Sequence, residues 1–165
     1  LAVKISPAFT GLPKFVQGLE EAGASAIVLF NGFFQPEIDI EKLTYRPVLH
    51  LSQSNDLLVR TRWAATLFGR THLDISITGG VHTSKDAVKA CLSGATTVQM
   101  VSALLRHGPH YLSEVIEDFN FWLEGHGFES MEQIRGMLSF THVDDTQALA
   151  RANYMETIQN WKTAE

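Results

Sequence analysis

The stretches EEAGASAIVLFN, from Glu20, and CLSGATTVQMVS, from Cys91, repeat one device: a helix end, Gly-Ala, a hydroxyl residue, and an apolar strand closing on a polar residue. A helix that hands over directly to a buried strand is half of a strand-helix-strand unit, and such units build parallel sheets. Four of them can be read along the chain. Val3-Lys4-Ile5-Ser6 reads as a first strand, and the helix from about Pro13 to Ala22 places Phe15, Leu19 and Ala22 on one face before Gly23 ends it. Ala26 to Phe30 is a continuous apolar run, the pattern of a strand buried on both faces, and it stops at Asn31-Gly32.

Residues 33–54 carry two prolines and an alternating Ile38-Asp39-Ile40-Glu41 with no helical period, so this segment reads as a long excursion with a small hairpin. Ser54 or Asn55 is the expected cap of a helix running to about Phe68, with Leu58, Trp63 and Leu67 among its apolar positions and Gly69 at its end. Ile75-Ser76-Ile77 is the third strand. Thr83-Ser84-Lys85-Asp86 fits a capping box for a helix whose apolar face is Val88, Cys91 and Leu92, and Gly94 closes it. Thr97 to Val101 is the fourth strand. Helices follow from Tyr111 to about Gly125, from Ser130 with Gln133 three residues on, and from about Asp145 to Trp161. The chain divides into four strand-helix units over 1–110 and helical additions over 111–165. Two α/β arrangements satisfy this pattern, an open doubly wound sheet or half of an eight-stranded barrel with unpaired edges.

Composition narrows the partners. The 165 residues are 45% hydrophobic with a net charge of -5 and no basic block, so the footprint of a nucleic-acid binder is missing. No apolar run approaches the length of about 20 residues that spans a bilayer. The single cysteine, Cys91, forms no internal disulfide and fits a reducing compartment, so a cytoplasmic location is expected. The start at Leu1, inside a strand-like segment, is expected to be a cut.

Chemistry concentrates at the strand ends. Thr78-Gly79-Gly80 lies between a strand and a capped helix, where backbone can approach a ligand and free amides suit an anion. Val101-Ser102-Ala103 ends the next strand, and two adjacent strand ends of this kind can share one phosphate. Lys4 either emerges into solvent or faces a ligand; Asn31 is either a turn residue or a donor and acceptor for an amide or carboxylate. His107 and His110 read as loop and cap residues, since two histidines with no carboxylate or thiolate make a poor metal site. Cys91 reads as a small core residue, and Phe119, Trp122 and Leu123 as a packing face. No Ser-His-Asp order, carboxylate pair or Walker-type loop is present, and no residue stands out as a general base.

The ordered set VKISP, IVLFNGFFQPEID, ITGGVHTSKDAVKACLSGATTVQMVSALLRHGP and RANYM resembles the dihydroorotate dehydrogenase family of FMN flavoproteins across nearly the whole chain. The resemblance implies the C-terminal half of a (β/α)8 TIM barrel, strands five to eight. It implies FMN as cofactor, with Lys4 at the flavin ring stabilising charge on the reduced form, Asn31 near substrate and flavin, and Gly79, Gly80 and Ser102 holding the phosphate beside Thr78 and Ala103. The implied reaction is oxidation of dihydroorotate to orotate in pyrimidine biosynthesis. A base takes a proton from one ring carbon, hydride leaves the next for the flavin, and a second oxidant recovers the flavin.

The family's catalytic Cys or Ser loop belongs to the missing N-terminal half, so the expected partners are that half, dihydroorotate or a related cyclic amide, and a second copy in a homo-oligomer. This chain alone is expected to be inactive. The glycine-rich FMN loop of many relatives has no counterpart in LHLSQSNDLLVRTRW, where Ser52 or Gln53 is a candidate flavin contact. Two other readings remain open, a non-catalytic phosphate- or FMN-binding half-barrel that self-associates, and a dihydropyrimidine oxidoreductase.

Overall fold

The computed structural model describes residues 1–32 and 36–142, together with 151, 154–156, 158 and 159. Four parallel strands, β1 (Ala2–Ile5), β2 (Ala26–Leu29), β5 (Asp74–Thr78) and β6 (Thr97–Gln99), form one sheet in that order. Between β2 and β5 the excursion makes an antiparallel hairpin of β3 (Glu37–Asp39) and β4 (Thr44–Arg46). Its turn is held by Asp39 Oδ1, which accepts from the amides of Glu41 and Lys42 at 3.1 and 3.0 Å.

The order never reverses, and the main core lies on one face only. Val3, Ile27 and Ile75 share one register row, and Ile5, Leu29, Ile77 and Val98 another. They pack against Leu12 and Val16 of α1 (Leu12–Glu21), Leu57, Ala64 and Leu67 of α2 (Leu57–Leu67), and Ala87 and Ala90 of α3 (Ser84–Leu92). Each fully buried aliphatic side chain there contributes about 1.5–3 kcal/mol. A doubly wound sheet reverses its strand order at a switch point and carries helices on both faces. Neither holds here, and the half-barrel alternative is the one that the sheet bears out.

The repeated Gly-Ala device has one physical cause in both places. Gly23 and Gly94 adopt φ of +89° and +115°, a region that side chains disfavour. Each glycine amide reaches back three residues, and each following alanine amide reaches back five, to Leu19 O and to Ala90 O, both at 3.0 Å. The hydroxyl residue then opens the strand: Ser25 N donates to Leu1 O at 2.8 Å, and Thr96 N to Ile75 O at 2.7 Å. A Cβ on Gly94 would also run into the Phe68 ring.

Several sequence expectations shift. In α1 the fully buried positions are Leu12 and Val16, with Phe15 and Leu19 beside them, while Ala22 is exposed. A 3-10 turn at Ser54–Asp56 precedes α2, and Asp56 Oδ2 accepts from the Gln53 amide at 2.8 Å, so Gln53 takes the capping place expected of Ser54 or Asn55. Leu58 is exposed, because the extra turn rotates Leu57 into the core instead. The fourth strand stops at Gln99, and Ser102 opens a short helix, α4 (Ser102–His107), where a loop was expected. His107 lies in that helix and its ring packs at 4.7 Å on Tyr111 of α5 (Tyr111–Gly125).

Cys91 is buried with Leu123 of α5 and Ile134 of α6 (Met131–Ile134), flanked by Phe119 and Trp122. Burial pushes its thiol pKa up to about 11, as fits a packing residue. Ser130 precedes α6, but the Gln133 side chain accepts from Glu129 N rather than closing a box on Ser130. The expected last helix, from about Asp145 to Trp161, lies mostly outside the described residues; 151, 154–156, 158 and 159 are helical. No helix among the described residues is long and apolar enough to cross a membrane.

Candidate functional site at the strand ends

Register places Lys4, Val28, Ser76 and Thr97 in one row across the sheet, on the face opposite the main core. Ser76 Oγ gathers this row by accepting from Thr97 Oγ1 at 2.8 Å and from Gln99 Nε2 at 3.0 Å. Lys4 is exposed, and its side chain makes no hydrogen bond or ion pair among the described residues. Asn31 is also exposed; its amide donates to Ile5 O at 2.7 Å, which keeps it beside the end of β1, and its side chain makes no hydrogen bond among the described residues. Lys4 and Asn31 therefore sit on neighbouring strand ends, as the sequence reading places them.

At the other two ends, Gly79 and Gly80 follow β5 with φ of +83° and +87°. Their reasons for being glycine differ. A Cβ on Gly79 would meet the Arg60 guanidinium at 3.0–3.3 Å, a flexible neighbour. A Cβ on Gly80 would meet the backbone of Asp56 and Leu57, which cannot retreat without moving the start of α2. Gly80 is thus required by packing of the turn against a helix, whatever else the turn binds.

The Gly79, Gly80, Ser102 and Ala103 amides donate to no partner among the described residues. Ser102 is half-buried, and its hydroxyl accepts from the Ser52 amide at 3.1 Å. Ala103 is fully buried, backbone included, so it packs behind these groups and presents no surface to a ligand, contrary to the sequence expectation. Ser52 Oγ lies 3.2 Å from His82 Nε2. These groups bring free amides and two hydroxyls to one end of the sheet, the donor set that a phosphate monoester accepts from.

Asp86 anchors the arrangement. Its Oδ2 accepts from Ser54 Oγ at 2.8 Å, from the amides of His82 and Thr83 at 3.1 Å each, and from Thr83 Oγ1 at 3.0 Å. The Thr83 hydroxyl in turn accepts from Asp86 N, so the expected capping box is formed. Burial pushes the Asp86 carboxyl up, but these hydrogen bonds outweigh it and hold its pKa below the ordinary carboxylate value.

Arg60, absent from the sequence reading, donates Nε to Thr78 O at 2.5 Å and Nη1 to Asp56 O, and burial lowers its pKa. It fastens α2 to the end of β5. Among the described residues no three His, Cys, Asp or Glu side chains gather as a metal site. A depression of about 310 Å³ lies between α2, α3 and the 3-10 turn Phe140–His142, lined by Leu58, Thr61, Lys89, Leu92 and Phe140. It contains none of the strand-end groups.

No family model matches the chain. The catalytic subunit of dihydroorotate dehydrogenase B (NAD(+)) from Phocaeicola vulgatus is 31% identical over 143 residues, which is 84% of this chain and 46% of that protein. The subunit of the same description from Methanothermobacter thermautotrophicus is 26% identical over 142 residues, 83% of this chain and 46% of that protein. A crystal structure of DHODH from Eimeria tenella in complex with ferulenol superposes with a TM-score of 0.68 at 22% identity, over 83% of this chain and 37% of that one. The fold is therefore part of a barrel of that kind, and the chain spans less than half the length of these curated relatives.

Proposed function

The chain belongs to the dihydroorotate dehydrogenase family, and from that membership we propose that it is the part of an FMN-dependent oxidoreductase that holds the cofactor, acting on dihydroorotate in pyrimidine biosynthesis. The observation that carries this reading is the convergence of free Gly79, Gly80 and Ser102 amides with the Ser52 and Ser102 hydroxyls at adjacent strand ends. These groups would receive the phosphate, with Thr78 fixing the turn through its carbonyl bond to Arg60. Lys4 would place a positive charge at the flavin ring, and Asn31 beside it would meet an amide or carboxylate of the substrate. FMN, when bound, supplies the hydride acceptor.

The described residues supply binding and charge and no general base. We assign the base to the rest of a longer protein, together with the choice among dihydroorotate and other cyclic amides; a cytoplasmic location goes with this reading. The test is anaerobic mixing of the protein expressed from its complete coding sequence with dihydroorotate. Bleaching of flavin absorbance supports the reading, and an unchanged flavin spectrum contradicts it.

A second reading draws on the sheet edges. Neither β1 nor β6 has an outer neighbour among the described residues, and unpaired edges recruit further strands. Two copies of this chain could close one barrel as a non-catalytic FMN binder. Sedimentation of this chain as a folded monomer would exclude that assembly.

A further inference from the structure

His82 follows the Gly79-Gly80 turn closely and is buried, at 9% exposure. Its amide is committed to Asp86, and its Nε2 lies 3.2 Å from Ser52 Oγ. Ser52 gives its amide to Ser102 Oγ, while Ser54 two residues on gives its hydroxyl to Asp86 Oδ2. The loop before α2 is therefore pinned to the β5 turn and to α4, with the Ser52 amide on Ser102 and its hydroxyl on the imidazole. This hydroxyl has a single proton. If Nε2 is bare it takes that proton; if Nε2 carries a proton it donates to Ser52 Oγ and leaves the hydroxyl proton for an anion.

We propose that His82 is a positioning residue that turns the Ser52 hydroxyl toward the phosphate of a flavin nucleotide held beside Ser102. The proposal rests on the phosphate reading above. The charged groups around His82 are Asp86 of α3, which takes its amide, the exposed Lys85 on the same turn of α3, Asp56 of the 3-10 turn, which abuts Gly80, and Arg60 of α2, which abuts Gly79.

The experiment is fluorescence titration of the protein from its complete coding sequence with FMN and with riboflavin, unsubstituted and carrying His82→Ala, His82→Gln, Ser52→Ala or the double substitution His82→Ala with Ser52→Ala. His82→Ala and Ser52→Ala each raise the FMN Kd about fivefold and leave the riboflavin Kd level, while Ser52→Ala retains the backbone bond to Ser102. The double substitution costs no more than either one alone, because both remove the same oriented hydroxyl, and His82→Gln, which keeps a donor, retains most of the affinity. An FMN Kd that His82→Ala leaves unchanged, or losses that add in the double substitution, overturns the role of His82. Equal affinity for FMN and riboflavin overturns the phosphate reading itself.

Discussion

On one face of the sheet Ile5, Leu29 and Ile77 line up under α1, α2 and α3; on the other, the row Lys4, Val28, Ser76 and Thr97 lies outside that core cluster, and within it Ser76 accepts from the Thr97 hydroxyl and the Gln99 side-chain amide. The same four strands thus serve two solvents. Alternate residues along each strand point to opposite faces, so the apolar positions specify the fold and the polar positions remain available for chemistry. The difference teaches that stability and function are separable here, and substitution can break or sharpen that separation.

The largest expected loss is on the packed face. Ile77→Ala removes a fully buried side chain and should cost about 2–5 kcal/mol in chemical denaturation. Asp86→Ala follows, since it strands four donors around a buried position; about 2–3 kcal/mol is expected. Because the folded Asp86 pKa is lowered, its contribution is full above the unfolded value of about 3.9 and is lost as pH falls through the folded value. Asp86→Asn should therefore flatten part of the fall in melting temperature below about pH 4.

Gly80→Ala is expected to cost about 2 kcal/mol through positive φ and collision with the start of α2, which makes it a test of the fold more than of ligand binding. The smallest effect is on the polar row. Ser76→Ala should cost about 1 kcal/mol or less, because Thr97 and Gln99 are exposed and water replaces their acceptor. A Ser76→Ala loss as large as that of Ile77→Ala would break the distinction between the faces.

Much of this was legible in the residues. Gly23-Ala24 and Gly94-Ala95 announce helix ends because only glycine adopts the required φ cheaply, and Thr83 with Asp86 announces a cap because the bonds are local. What escaped depends on tertiary placement. Arg60 acquires its role only when α2 lies across the end of β5, and its own neighbourhood carries no signal of Thr78. The α4 start at Ser102 was hidden because a strand ending on a polar residue and a short helix beginning on one look alike over a few positions. The burial of Leu57 in place of Leu58 follows from a 3-10 turn that periodicity does not reveal. Lys4, Asn31, Gly79, Gly80 and Ser102 were legible as strand-end residues, while the Ser52–His82 pair arises from a loop folding back across thirty positions of sequence.

The central claim is that these strand ends grip a phosphate, and its most direct measurement is the affinity of the protein from its complete coding sequence for FMN against riboflavin at pH 6.5. The account predicts that FMN binds tighter by on the order of 100-fold, the worth of about two charge-assisted hydrogen bonds. Equal affinities would contradict it.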